Sequence, residues 1–125
     1  MKYRTRKLIK PEDLSSRGTL FGGQLLKWID EEAAIFAMCQ LSREGDNEVP
    51  SIVTKAISEI DFQSSAYVGD IIEIGCNLIS FGTTSVTLEC EVRNKQTQEI
   101  IIKIDKIVFV RLDKRGKPTP HGFIK

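Results

Sequence analysis

The stretch "GTLFGGQLLKWIDEEAAIFAMCQL", Gly18 to Leu41, decides how this chain folds. A Gly-rich turn opens it, and residues of high helix propensity follow from Gly23 to about Leu41, where the breaker-rich "SREGDNEVP" ends the run. Such a helix of about 19 residues is roughly 28 Å long, the breadth of a small domain. From Ala33 to Cys39, "AAIFAMC", it is apolar on every side, which predicts a helix surrounded by other structure rather than one lying on a surface. Asp30 breaks the pattern. Leu26, Ala33, Ala34 and Ala37 share its helical face, so its carboxylate is expected to be partly desolvated, with a pKa above the ordinary value of about 3.9. It also lies beyond the first turn, too far in for capping. Such a setting suits a general base; the plainer alternative is a solvated stripe shared with Glu31 and Glu32. Gly22 and Gly23 carry two readings as well. Their amides belong to a helix N-terminus and can receive a developing oxyanion, or the pair simply permits a tight turn.

Outward from the helix the pattern changes period. "KYRTRKLI", residues 2–9, reads as a short strand ended by Pro11, and 14–22 as a turn-rich loop. After Pro50 apolar residues alternate. The even face of 52–62 holds Ile52, Thr54, Ala56, Ser58, Ile60 and Phe62, and that of 70–80 holds Ile72, Ile74, Cys76 and Leu78. In 84–94 it is Val86, Leu88, Cys90 and Val92; in 99–112 it is Ile100, Ile102, Ile104, Val108 and Val110. The connectors are short, which suits antiparallel neighbours rather than helical crossovers. One long helix with four or five long strands has few satisfactory arrangements: the sheet curls around the helix, in an α+β fold of one domain spanning 1–125. Such a sheet has open edges, and joining edges in a dimer is the expected remedy.

Composition narrows the function. Eighteen basic and seventeen acidic side chains leave a formal charge of +1, which gives no support to a nucleic-acid or membrane-surface partner. No apolar run approaches the eighteen residues of a membrane span, and no signal-peptide core precedes residue 20. Cys39, Cys76 and Cys90 form no CxxC pair and lie in apolar patterns, so reduced core thiols and a cytoplasmic setting are expected. The one histidine, His121, sits in a Pro- and Gly-rich tail outside the core pattern, which argues against a His-based metal site.

Taken in order, these segments resemble a known family. "GTLFGGQLLKWIDEEAA" resembles the core motif of the hotdog-fold acyl-CoA thioesterases, in their cytosolic acyl-CoA thioester hydrolase branch. "PEDLSSRGTLFGG" is similar to the family's approach to that helix, and "SEIDFQSSAYVGD" to its Asp-Phe segment and Val-Gly-Asp. "SFGTTSVTLECEV" is similar to its Gly-x-Thr-Ser strand start, and "VFVRLDKRGKPTP" to its C-terminal strand and turn; together they cover roughly residues 7–120. The resemblance implies the hotdog fold, a long central helix wrapped by an antiparallel sheet. It implies hydrolysis of an acyl-CoA to free acid and coenzyme A, with Asp30 as general base or nucleophile and Gly22 and Gly23 supplying the oxyanion amides. It leaves Asp30 and those amides free to serve different sites of a dimer. Thr84 and Ser85, with Arg111 and Lys114, become candidates for holding the coenzyme A part of the substrate, with Arg115 and Lys117 beside them. No cofactor or metal is implied beyond coenzyme A as part of substrate and product, and a homodimer or higher homo-oligomer (tetramer or hexamer) is expected.

Three positions depart from the family's pattern. Ser15 stands where many relatives have Asn, three residues before the motif glycine, and Ser65 where a proline is usual. Thr83 replaces a commonly basic residue. The departure at Ser15 keeps a second reading open, a non-catalytic acyl-CoA binder on the same fold. A hotdog dehydratase would need a catalytic histidine, and His121 lies in the wrong segment for it.

Overall fold

A computed structural model describes residues 1–124. Strand β1 (Lys2–Leu8) leads through a 3-10 turn at Pro11–Asp13 into helix α1 (Gly22–Gln40). Strands β2 (Ile52–Ile57), β3 (Ile60–Phe62), β4 (Ile71–Phe81), β5 (Ser85–Asn94) and β6 (Ile100–Arg111) follow. All pairings are antiparallel, in the order β1-β4-β5-β6-β2, with β3 also on β6. The short connectors read in the sequence dictate this hairpin run from β4 to β6. β1 and β2, the strands flanking α1 in sequence, end up on opposite edges.

The helix lies across one face of the sheet. Leu25, Trp28, Ile29, Ala33 and Ala37 form its buried face, packed with Ile72, Ile74, Val86, Leu88, Val92, Ile102 and Phe109 in one core. Burying each large side chain contributes roughly 1.5–3 kcal/mol. Ala33 and Ala37, both fully buried, let the helix backbone approach the sheet closely. Within the single chain the helix is not covered all round: Lys27, Glu31, Ile35 and Cys39 form an exposed row at i, i+4 spacing. Cys39 is therefore a surface thiol, while Cys76 and Cys90 are core thiols as expected.

Two of the sheet's several bulges bear on the alternation read from sequence. Between Leu88↔Ile107 and Cys90↔Ile104, β6 carries one residue more than β5, so its buried positions change from even (Ile102, Ile104) to odd (Ile107, Phe109). The second bulge lies between Thr54 and Ala56, and the expected strand 52–62 is broken between β2 and β3. Phe62, placed on a core face by simple alternation, is half exposed, while Ile52 and Ile60 do pack on the core. A one-residue insertion inverts every later side chain, and no local pattern announces it.

His121 is a second correction. It is buried, with its Nε2–H donating to the Ser85 carbonyl at 2.8 Å and its Nδ1 accepting the Phe123 amide at 3.0 Å. Arg43 stacks on the Phe123 ring at 4.2 Å and donates to the His121 carbonyl, so the tail is folded back onto the β4–β5 turn. Both ring nitrogens are committed to backbone, a structural role. On the sheet's outer face, the Glu73 side chain is 4% exposed and accepts from Arg6 at 2.9 Å and Arg93 at 3.1 Å. Burial alone would raise its carboxyl pKa; the two guanidinium groups overcome that and hold it below the usual range.

Candidate active site

The loop that delivers the chain to α1 is held by a buried carboxylate. Asp13 accepts the Lys10 amide at 2.9 Å and the Gln24 side chain at 3.0 Å, and its carbonyl accepts the Phe21 amide. The helix N-cap is Phe21, which offers no side-chain acceptor. The first intrahelical bond there is Leu25 N–H to Phe21 C=O, at 3.1 Å. The amides of Gly22, Gly23 and Gln24 thus stand ahead of the helical ladder at its positive end, as an oxyanion site requires. Neither glycine has a positive φ; the turn that needs one is at Gly18, with φ +80°. Gly22 lies against the Phe62 ring instead, where an added Cβ would be 3.8 Å from it. Beside it a cavity of about 310 Å³ is lined by Leu20, Leu25, Phe62, Ala66 and Ile101.

Asp30 is half buried, on the flank of α1 that faces edge strand β2. Its Oδ1 accepts a hydrogen bond from the Thr54 hydroxyl at 2.9 Å. Thr54 is the residue sequence reading passed over as a site: a hydroxyl on an otherwise mainly apolar strand face was the available signal. The pairing is Thr54↔Phe109 and Ile52↔Arg111. Arg111 therefore follows Thr54's partner by two residues on the same face, about 7 Å along the sheet.

Arg111 and Lys114 line one cleft of about 740 Å³, which also holds Asp46, Glu48 and Asp113. Both signs of charge meet there. The Arg111 amide donates to the Thr84 carbonyl at 2.8 Å, which ties the β4–β5 turn to this end of β6. The Ser85 carbonyl is occupied by Gly82 N–H and by His121. The structure thus brings Thr84, Arg111 and Lys114 into one region and leaves Ser85 under the tail.

Ser15 occupies its own turn: its amide donates to Thr19 C=O, its carbonyl accepts Gly18 N–H, and its Oγ accepts Arg17 N–H at 3.2 Å. The hydroxyl proton is left to donate elsewhere. Asp30 comes eight residues after Gly22, about 12 Å along the helix axis. That is too far for the carboxylate and the amides of one chain to act on one carbonyl. Among the described residues no three His, Cys, Asp or Glu side chains are grouped to hold a metal ion, and no helix is long and apolar enough to cross a membrane.

Comparison with known proteins fits this arrangement. A sequence model of the thioesterase superfamily matches residues 17–101, from the loop through α1 to the start of β6. The chain belongs to the thioesterase superfamily. An acyl-CoA thioester hydrolase of Salmonella typhimurium is 28% identical over 129 aligned positions, covering 92% of this chain and 86% of that one. A hexameric hotdog-fold thioesterase of Campylobacter jejuni superposes with a TM-score of 0.78 at 25% identity, over 98% of both chains. An acyl-CoA hydrolase of Staphylococcus aureus superposes with a TM-score of 0.80 at 27% identity, covering 93% of this chain and 69% of that one. That enzyme has been solved with butyryl coenzyme A and coenzyme A, and as variants with alanine replacing an aspartate, an asparagine and a threonine. The helix wrapped by an antiparallel sheet is the hotdog fold expected from the sequence.

Proposed function

We propose that this thioesterase hydrolyses acyl-CoA thioesters to free acid and coenzyme A, with Asp30 as the general base. The observation that carries the reading is the Thr54–Asp30 hydrogen bond at an open sheet edge. Thr54 holds one carboxylate oxygen, which leaves the other to take a proton from water as that water attacks the thioester carbonyl. The carbonyl oxygen becomes an oxyanion, the tetrahedral intermediate collapses, and the C–S bond breaks as the proton held by Asp30 passes to the departing sulfur, which leaves as the coenzyme A thiol. Water and substrate are the only other reactants, and the chain's own groups supply the rest.

Within one chain the oxyanion donors are about 12 Å from Asp30. We therefore assign the amides of Gly22 and Gly23 to the site completed by a second copy, joined through β2. That edge is unpaired in the single chain, and Val53 and Ile57 are exposed along it. The hexameric state of the Campylobacter relative is consistent with assembly from such dimers. Ser15 adds a hydroxyl donor near the start of this loop. We assign the coenzyme A phosphates to Arg111, with Lys114 and the Thr84 turn, in a cleft that Asp46 and Glu48 share. A cytoplasmic location suits this substrate.

A hydrolysis screen over acyl-CoAs of graded length, with thiol release as readout, tests the reading. Turnover that is abolished by Asp30→Ala supports it. Binding of acyl-CoA with no turnover at any length would replace it with the binding-protein alternative.

A further inference from the structure

All three cysteines lie in one neighbourhood that the proposed reaction does not use. Cys76 and Cys90 are directly opposed in the β4–β5 ladder, pinned by Ile74↔Val92 on one side and Leu78↔Leu88 on the other. Directly opposed residues of an antiparallel pair have Cα atoms about 4.5 or 5.5 Å apart, and either spacing lies inside the range of about 4.4–6.8 Å that a disulfide bridges. Their sulfurs are 2.8 Å apart. Cys76 also forms part of the wall of a cavity of about 230 Å³ with Ile35, Phe36 and Cys39, and the exposed Lys2 and Arg4 of β1 line it as well. This cavity is on the flank of α1 towards β1, whereas Asp30 faces β2.

We propose that Cys76 and Cys90 form a reversible thiol–disulfide site, oxidised by anionic low-molecular-weight disulfides that enter through this cavity. The order of attack follows from access. Cys76 is 6% exposed and touches the cavity; Cys90 is 1% exposed and lines instead a separate cavity whose Glu89 and Glu91 disfavour an anionic reagent. The contact with Cys76 and burial push the Cys90 thiol up. The Cys76 thiolate attacks one sulfur of the small disulfide, forming a mixed disulfide and expelling the first small thiolate. Cys90 then gives up its proton and attacks the Cys76 sulfur, forming the Cys76–Cys90 bond and expelling the second. One small disulfide is reduced to two thiols, and two protein thiols are oxidised to one disulfide. Lys2 and Arg4 outnumber Glu32, the one acidic side chain of the lining, and favour an anionic reagent at the mouth.

The test uses the reduced full-length protein with glutathione disulfide, followed by intact mass and peptide mapping under native conditions. The Cys39→Ser protein is expected to lose the mass of two hydrogens and both titratable thiols, regained on reduction with dithiothreitol. In Cys39→Ser/Cys90→Ser, glutathione remains attached at Cys76. In Cys39→Ser/Cys76→Ser, Cys90 stays an unmodified thiol. The proposal is overturned if Cys39→Ser retains both thiols, or if glutathione persists on Cys76 while Cys90 is present. It is equally overturned if the disulfide forms only at the rate of global unfolding measured in denaturant, because entry by the cavity requires the folded protein.

Discussion

Replacing Thr54 with valine isolates the contact on which the proposed chemistry rests. Valine keeps the β-branched shape that suits an edge strand and removes only the hydroxyl. The bond lost is an O–H to carboxylate bond of 2.9 Å. Hydrogen bonds to charged groups are worth about 1.5–3 kcal/mol. If that energy holds the Asp30 carboxylate in its reactive orientation, turnover falls by about 10- to 100-fold. Asp30 is not fully buried, so water reaches the carboxylate in the variant and the fold is little affected. The assay is initial-rate hydrolysis of the best acyl-CoA, resolved into kcat and KM, with the thermal midpoint measured alongside. The fall should appear in kcat, and Thr54→Ser, which restores a hydroxyl, should recover most of it. A Thr54→Val enzyme within about twofold of the parent in kcat, a change smaller than about 0.4 kcal/mol, would refute the idea that this contact orients the base.

Asp30→Ala should reduce turnover by roughly 10²–10⁴ while the circular dichroism spectrum stays unchanged; a folded variant with near-parental kcat removes Asp30 from the chemistry. Ser15→Ala should lower kcat and Ser15→Asn, with two N–H donors on a longer stem, should raise it; if both match the parent, the hydroxyl serves only its turn. Val53→Lys places a charge on the exposed β2 edge and should shift the assembly toward a monomer of 14.1 kDa in light scattering, with activity lost in parallel. A monomeric variant with full activity would show that one chain holds the whole site. Tyr3 donates to Glu91, and burial, with that bond, pushes its phenol up to about 12 from 10.0. A phenol raised on folding stabilises the protein below pH 10, and that contribution is lost as pH rises from 10 towards 12. Tyr3→Phe should flatten this alkaline part of the stability curve in denaturant titrations.

The local elements were legible because they follow from spacing along the chain. A run from Gly23 of helix formers and alternating β-branched residues after Pro50 mark a helix and strands wherever they occur, and the short connectors force antiparallel order. Asp30 stood out for the same reason, a carboxylate among small apolar neighbours three, four and seven positions away. What the chain order does not contain is which distant residues meet. Thr54 was simply one hydroxyl on a strand until β2 fell at the sheet edge beside α1 and put it 2.9 Å from Asp30. Cys76 and Cys90 are fourteen positions apart and became a pair only through the β4–β5 register. His121 looked like a tail residue until the β4–β5 turn supplied a carbonyl for its ring. The extra residue in β6 inverted the buried face beyond Ile104, because a ladder's register depends on both strands and one strand's alternation cannot report it. The spacing of Asp30 from Gly22 was always in the sequence, but only a helix rising 1.5 Å per residue turns it into the distance on which the proposal of a shared site rests.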